Sequence, residues 1–289
     1  MKVAEWKDYS VIASGDGYKL ERWKDVVLLR PDPQVIWKTS VDMNGYNGLS
    51  AKYLRSETGG GRWVKYKVPE EWKISYKDLT FLIKPMGFKH TGLFPEQAVN
   101  WDAMRKLISE ANREINVLNL FAYTGGATVA CAKEGAKVCH VDSAKAMVER
   151  AGENARLSGV KPDRIRYIID DCKKFVEREI RRGRKYDAVI MDPPSYGRGP
   201  NGETWKLEAE LFPLVELCSK VLSDDPLFFL INSYTTGLQP QVIKNVLNVA
   251  IKNKFGGRTD AYEVGLSTEE EGVILPCGNS GLWTKDGKK

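Results

Sequence analysis

One pattern, repeated from Ile115 onward, constrains the fold of this chain more than any other feature: a short apolar run closing on a polar residue, set among segments of helical period. "INVLNLF", "KVCHVD", "IRYIID", "YDAVIMD" and "LFFLINS" are five such runs. The segment "PEQAVNWDAMRKLISEA" places Pro95 at a first helical position and carries an apolar stripe of Ala98, Trp101, Met104, Leu107 and Ile108. Further helices are expected over residues 127–133, 144–157, 207–222 and 239–253. Strands this apolar must be covered on both faces, and helical crossovers between them make neighbouring strands parallel. Two more runs, "AYEVGLS" and "GVILPCG", are close enough to form a hairpin and bring the count to seven. The expected fold class is α/β, a seven-stranded doubly wound, Rossmann-like sheet.

Residues 1–88 have a different texture. Short β-type runs ("YSVIAS", "VVLLRP", "RWVKYKV", "LTFLIKP") are separated by Gly, Asp and Pro, which predicts a small β-rich module ahead of an α/β domain over 89–289. A chain of 289 residues is long enough for both. The triple glycine at 59–61 lacks the Lys-Ser/Thr pair and the helix that a phosphate loop needs, so it predicts a hairpin connection. A short basic tail occupies 285–289.

Several function classes are disfavoured. No apolar run approaches the roughly 18 residues of a membrane helix, and "MKVAEWKDYS" has charges where a secretory signal would be apolar, so a cytoplasmic location is expected. The five cysteines (Cys131, Cys139, Cys172, Cys218, Cys277) are scattered, and the two histidines, His90 and His140, lie far apart, so neither a disulfide framework nor a metal site is expected. The net charge of +6 mildly favours an anionic partner.

In an open α/β sheet, ligands bind beyond the carboxyl ends of the strands, so the residues there are the candidates. The first strand ends in "FAYTGG", and Gly125 and Gly126 lead into a helix N-terminus suited to a carboxylate or phosphate. It has no G-x-G-x-x-G, since Phe121 and Tyr123 stand where a phosphate-cradling turn would use glycine. The second strand ends in Asp142, followed by Ser143, where a carboxylate can accept from ribose hydroxyls; by itself this suits a nicotinamide dinucleotide as well as S-adenosylmethionine. The third ends in Asp171 and Cys172, which could face an adenine. The fourth ends in "DPPSYG", where Pro193 and Pro194 supply no N–H and leave the Asp192 carboxylate and the Pro193 carbonyl as rigid acceptors, suited to an amine-bearing planar substrate. Asp142 and Asp192 could instead be helix or turn caps.

"VLNLFAYTGG" resembles the first motif of class I S-adenosylmethionine-dependent methyltransferases, with Asn119 at the usual acidic position and Phe121 and Tyr123 at two usual glycines. This variant, together with "KHTGLFPEQ", is similar to the subgroup of the large-subunit rRNA cytosine-5 methyltransferases, and the likeness runs from the β-rich module to the C-terminus. The resemblance implies S-adenosylmethionine as cofactor and an RNA base, in rRNA, as substrate. By the same resemblance Asp142 would hold the ribose, Asp171 and Cys172 the adenine, and residues 121–126, Thr124 among them, the methionine part. Asp192, Pro193, Pro194 and Tyr196 would face the methyl acceptor, and Phe94 and Gln97 would close the cofactor pocket.

The chain also departs from that subgroup. Cytosine-5 chemistry needs a cysteine thiolate, yet Ser195 and "NSYTTG" occupy the two places where one would stand. Amino-directed enzymes carry an aromatic directly after the prolines, to stack on a flipped base; here Ser195 intervenes before Tyr196. A small molecule or a protein side chain stays open as acceptor, as does a cofactor-binding RNA protein without catalysis. In the N-terminal module, "YKLERW", "RWVKYKV" and "EWKISYK" interleave cations with aromatics, as an RNA-contacting face or a solvated strand face would. The run "REIRRGRK" predicts a solvated helix end.

Overall fold

The computed structural model describes residues 1–56, 60–87, 89–198, 204–235 and 237–285, so part of the triple glycine and most of the basic tail lie outside the described residues. The chain divides into two compact units: Lys2–Val99 with Gly265–Cys277, and Asn100–Val264 with Gly278–Lys289.

The first unit contains a five-stranded sheet whose neighbours follow chain order: Tyr9–Gly15, Tyr18–Trp23, Val26–Pro31, Leu49–Arg55 and Gly61–Lys65. All pairings are antiparallel except Val26–Pro31 with Leu49–Arg55. Trp72–Tyr76 and Leu79–Ile83 form a separate hairpin. Of the six aromatics in the three runs that could have lined an RNA face, Trp23 and Tyr76 are buried and Tyr18, Trp63 and Trp72 half-buried, with Trp63 Nε1 donating to the Met86 carbonyl and Trp72 Nε1 to the Trp23 carbonyl. Tyr66 is exposed. Arg30 donates twice to the buried Glu21, at 2.5 and 2.7 Å, and the Tyr9 hydroxyl donates to the same carboxylate at 2.7 Å. A buried charge needs such pairing to remain charged.

The large sheet has one strand more than expected, the two-residue Lys2–Val3, besides the expected seven: β1 (Asn116–Leu120), β2 (Lys137–Asp142), β3 (Ile165–Ile169), β4 (Ala188–Met191), β5 (Phe228–Ser233), β6 (Arg258–Ser267) and β7 (Ile274–Thr284). Their spatial order is β3-β2-β1-β4-β5-β7-β6. β3, β2, β1, β4 and β5 are parallel and β7 runs antiparallel to β5. Helices α1 (Ala98–Glu110), α2 (Gly126–Lys133), α3 (Lys145–Leu157), α4 (Cys172–Arg181), α5 (Leu207–Ser219) and α6 (Pro240–Leu247) join them. Alternate residues of the central strands (Leu118, Leu120, Val189, Met191, Phe229, Ile231) pack with Phe175 and Val176 of α4, Leu211 and Leu214 of α5 and Ile243 and Leu247 of α6. On the opposite face Asn119 and His140 meet Thr128 of α2. The sheet is therefore covered on both sides. Helix α4 ends in the run 178–185 that reads in the sequence as a solvated helix end, but its body was not expected as a helix; its apolar contribution is a narrow stripe led by Cys172, Phe175 and Val176 among lysines, glutamates and arginines. Among the described residues, no helix is long and apolar enough to cross a membrane.

Candidate active site

The strand order reverses between β1 and β4, so the crevice at their carboxyl ends is the switch point of the sheet. Beyond β1 the chain makes a turn in which Phe121 (φ 55°), Tyr123 (φ 50°) and Gly125 (φ 82°) are all left-handed. The two aromatics thus adopt the backbone that glycine favours, at roughly 1–2 kcal/mol each, and must be held there by their surroundings. The Tyr123 amide donates to Asp142 Oδ2 at 2.8 Å, the Phe121 amide to Cys172 Sγ at 3.3 Å, and the Ala122 amide to the Val141 carbonyl at 3.1 Å. The buried Thr124 accepts from the Asn154 side chain at 2.9 Å through its carbonyl. The glycines answer to packing: a Cβ on Gly125 would stand 2.8 Å from that of Ala151, and one on Gly126 2.7 Å from the Trp101 ring.

Beneath the turn, Asn119 Nδ2 donates to Thr128 Oγ1 at 2.9 Å, and that hydroxyl lies 2.9 Å from His140 Nδ1. Burial lowers the His140 pKa to about 4, so the ring is neutral at physiological pH. Asn119 is therefore spent on tying β1 to α2. Neither Thr128 nor His140 was a candidate from the sequence, because their meeting depends on register between β1, β2 and α2.

Asp142 is half-buried at the end of β2, and its two oxygens accept the amides of Tyr123 and Ala144 at 2.8 and 2.9 Å. A carboxylate oxygen has capacity for a second bond, so this residue can fix the turn and still accept from a ligand. Ser143 beside it is exposed. Asp171 is an N-cap, accepting the Lys174 amide at 2.9 Å, and is exposed. Cys172 is buried, and that burial pushes its thiol pKa far up. The other four cysteines are also buried, with Cys131 raised to about 12 and Cys139 to about 11. None has the character of a nucleophile.

Beyond β4, Asp192 is half-buried, Pro193 buried and Pro194 exposed. The Pro194 carbonyl accepts Trp205 Nε1 at 2.6 Å, the Ser195 carbonyl accepts the Leu207 amide at 3.1 Å, and Ser195 Oγ accepts the Thr235 hydroxyl at 2.7 Å. Tyr196–Arg198 and Thr204–Lys206 pair as a hairpin with Tyr196 opposite Lys206 and Gly197 opposite Trp205. Tyr196 is 52% exposed. The Trp205 ring lies 5.9 Å from that of Phe121, so one indole bridges the turns after β1 and β4. A lone tryptophan with no periodic neighbours gave no signal in the sequence. Near the end of β5, Asn232 is buried and its Oδ1 accepts from Asn100 and Ser280 at 3.0 and 2.8 Å, which commits it to packing.

The structure thus gathers Phe121, Tyr123, Thr124, Gly125, Gly126, Asp142 and Cys172 around the β1 turn, and links the Asp192-Pro193-Pro194 turn to it through Trp205. Phe94 and Gln97 belong to the first unit, where Gln97 is buried in the turn Pro95–Gln97 and the Phe94 ring lies 5.4 Å from His90. Among the described residues, no group of three His, Cys, Asp or Glu could hold a metal ion.

Comparison with known proteins gives a family. The crystal structure of a SAM-dependent methyltransferase from Agrobacterium tumefaciens matches with a TM-score of 0.90 at 32% identity, covering 98% of this chain and 92% of that one. A further crystal structure, complexed with S-adenosylhomocysteine, shares the fold at 18% identity and a TM-score of 0.73, covering 97% of this chain and 76% of that one. The ribosomal RNA large subunit methyltransferase K/L of Shewanella loihica is 30% identical over 189 residues, which are 63% of this chain and only 24% of the relative's length. The sequence profile of the S-adenosylmethionine-dependent methyltransferases matches residues 41–230, and the chain belongs to that family.

Proposed function

We propose that this protein transfers a methyl group from S-adenosylmethionine to a nitrogen of an RNA base in large-subunit ribosomal RNA. The observation that carries the reading is the rigid Asp192-Pro193-Pro194 turn at the switch point, tied through Trp205 to the turn after β1. The relatives named as rRNA methyltransferases support the choice of RNA.

The residues present fit the cofactor. Asp142 has acceptor capacity for ribose hydroxyls after serving two amides, the N-terminus of α2 suits a carboxylate, and the aromatic faces of Phe121 and Tyr123 suit a sulfonium cation. Asp171 and Cys172 would line the adenine side. When bound, S-adenosylmethionine supplies an electrophilic methyl group. The chain's own work is then positioning: the Asp192 carboxylate and the Pro193 carbonyl accept from the target's N–H groups and orient the nitrogen lone pair for in-line attack. A nearby acceptor removes the proton. Nitrogen is preferred to cytosine C5 because that carbon needs a thiolate, and all five cysteines are buried, with thiols held protonated. Mass spectrometry of nucleosides from the rRNA of cells with and without the gene tests this. One N-methylated nucleoside should be lost in the deletion strain; loss of 5-methylcytidine instead would overturn the choice of nitrogen.

A further inference from the structure

At the opposite end of the sheet lies a cavity of about 500 Å³. Asn116 at the start of β1, Lys137 at the start of β2 and Arg166 on β3 form its inner wall. Strands of five residues at about 3.3 Å each put it some ~17 Å from the switch point, so it is separate from the cofactor site. Six cations line it: Lys137, Arg164, Arg166, Arg182, Arg184 and Lys185. Only two carboxylates oppose them there, Asp163 and Glu179.

Glu179 is buried and already engaged by the Tyr186 hydroxyl at 2.6 Å and by Arg182 at 3.0 Å. Lys137 and Arg164 share Glu114, at 2.8 and 3.3 Å. Lys185 donates to the neutral Lys220 carbonyl, and among the described residues neither it nor Arg184 has a carboxylate partner. Four of these cations come from the run 178–185 that reads in the sequence as a solvated helix end or from the strand beside it, and the fold concentrates them around one concavity. A chain with a net charge of +6 thus focuses much of its excess on one face.

We propose that this cavity grips the phosphate backbone of the RNA substrate at a distance from the methylated base; this rests on the RNA reading above. Tyr186, the aromatic of the lining, is 8% exposed and lies against Glu179, so no face is offered for stacking a base. Exposed arginines and lysines on flexible stems suit phosphates, which position a nucleic acid without reading its sequence.

The test is the salt dependence of binding to deproteinised large-subunit rRNA, with the parent protein and an Arg184→Gln, Lys185→Gln double variant. Removing two phosphate contacts should lower the slope of log K against log salt by about 1.4 and weaken binding several-fold, with S-adenosylhomocysteine affinity and thermal unfolding unchanged. An unchanged slope and affinity would overturn the proposal. So would saturable binding of adenosine monophosphate to the parent that the double variant loses, since that describes a nucleotide site. If the parent still methylates the RNA, either result removes the cavity alone; if it neither binds nor methylates, the RNA reading falls too.

Discussion

Tyr123 and Phe121 hold a backbone conformation that L side chains avoid, at the point where the chain leaves the sheet for the ligand crevice. A β-branched residue is worse there than an aromatic, and glycine is unstrained. Tyr123→Val should therefore destabilise the protein by about 1–2 kcal/mol, and Tyr123→Gly by less; urea unfolding of the two variants separates backbone strain from loss of the ring. Asp142→Ala strands two backbone amides and removes the acceptor proposed for the ribose, so S-adenosylhomocysteine affinity should fall at least tenfold in calorimetry. Asp142 and Asp192 stood out in the sequence as candidates because they end apolar runs, and the end of a parallel strand is where ligands bind. Trp205, Thr128 and His140 were not, since each acts through a partner whose position depends on how separate elements pack.

At the scale of elements, the hairpin that follows the prolines fixes the acceptor turn through one indole. Trp205→Ala frees the Pro194 carbonyl and removes the ring beside Phe121. Methyl transfer should drop about tenfold with cofactor affinity nearly retained, which a comparison of kcat with S-adenosylhomocysteine binding would detect. The contact between β2 and α2 sets a pH dependence. Burial brings His140 to about 4, and burial aided by Arg30, Lys89 and Lys19 brings His90 to about 4. Both bind fewer protons folded than unfolded, so the stability they contribute is full above pH ~6.5 and is lost as pH falls toward 4, at about 1.4 kcal/mol per unit of displacement. His140→Gln should flatten that acid limb in unfolding measurements between pH 4 and 7. Strand positions were read well because apolar runs of this kind have few other uses. Only the charged end of helix α4 was read, and its body was missed because charged side chains outnumber its buried stripe.

For the whole molecule, the strand order β3-β2-β1-β4-β5-β7-β6 places the ends of β1, β2 and β4 side by side, and a chemically coherent set of residues follows from that order alone. The parallel core was legible from alternating strand and helix patterns. The sharing of the β6–β7 hairpin tip, Gly265–Cys277, with the N-terminal unit was not, because it joins residues more than 200 positions apart. The most direct test of the central claim is label transfer from methyl-tritiated S-adenosylmethionine to rRNA from cells lacking this protein, with Asp192→Ala alongside and cofactor affinity measured for both. The account predicts label in RNA with the parent, and loss of label with retained cofactor binding in the variant. Equal label from both proteins, or none from a parent that binds the cofactor, would contradict it.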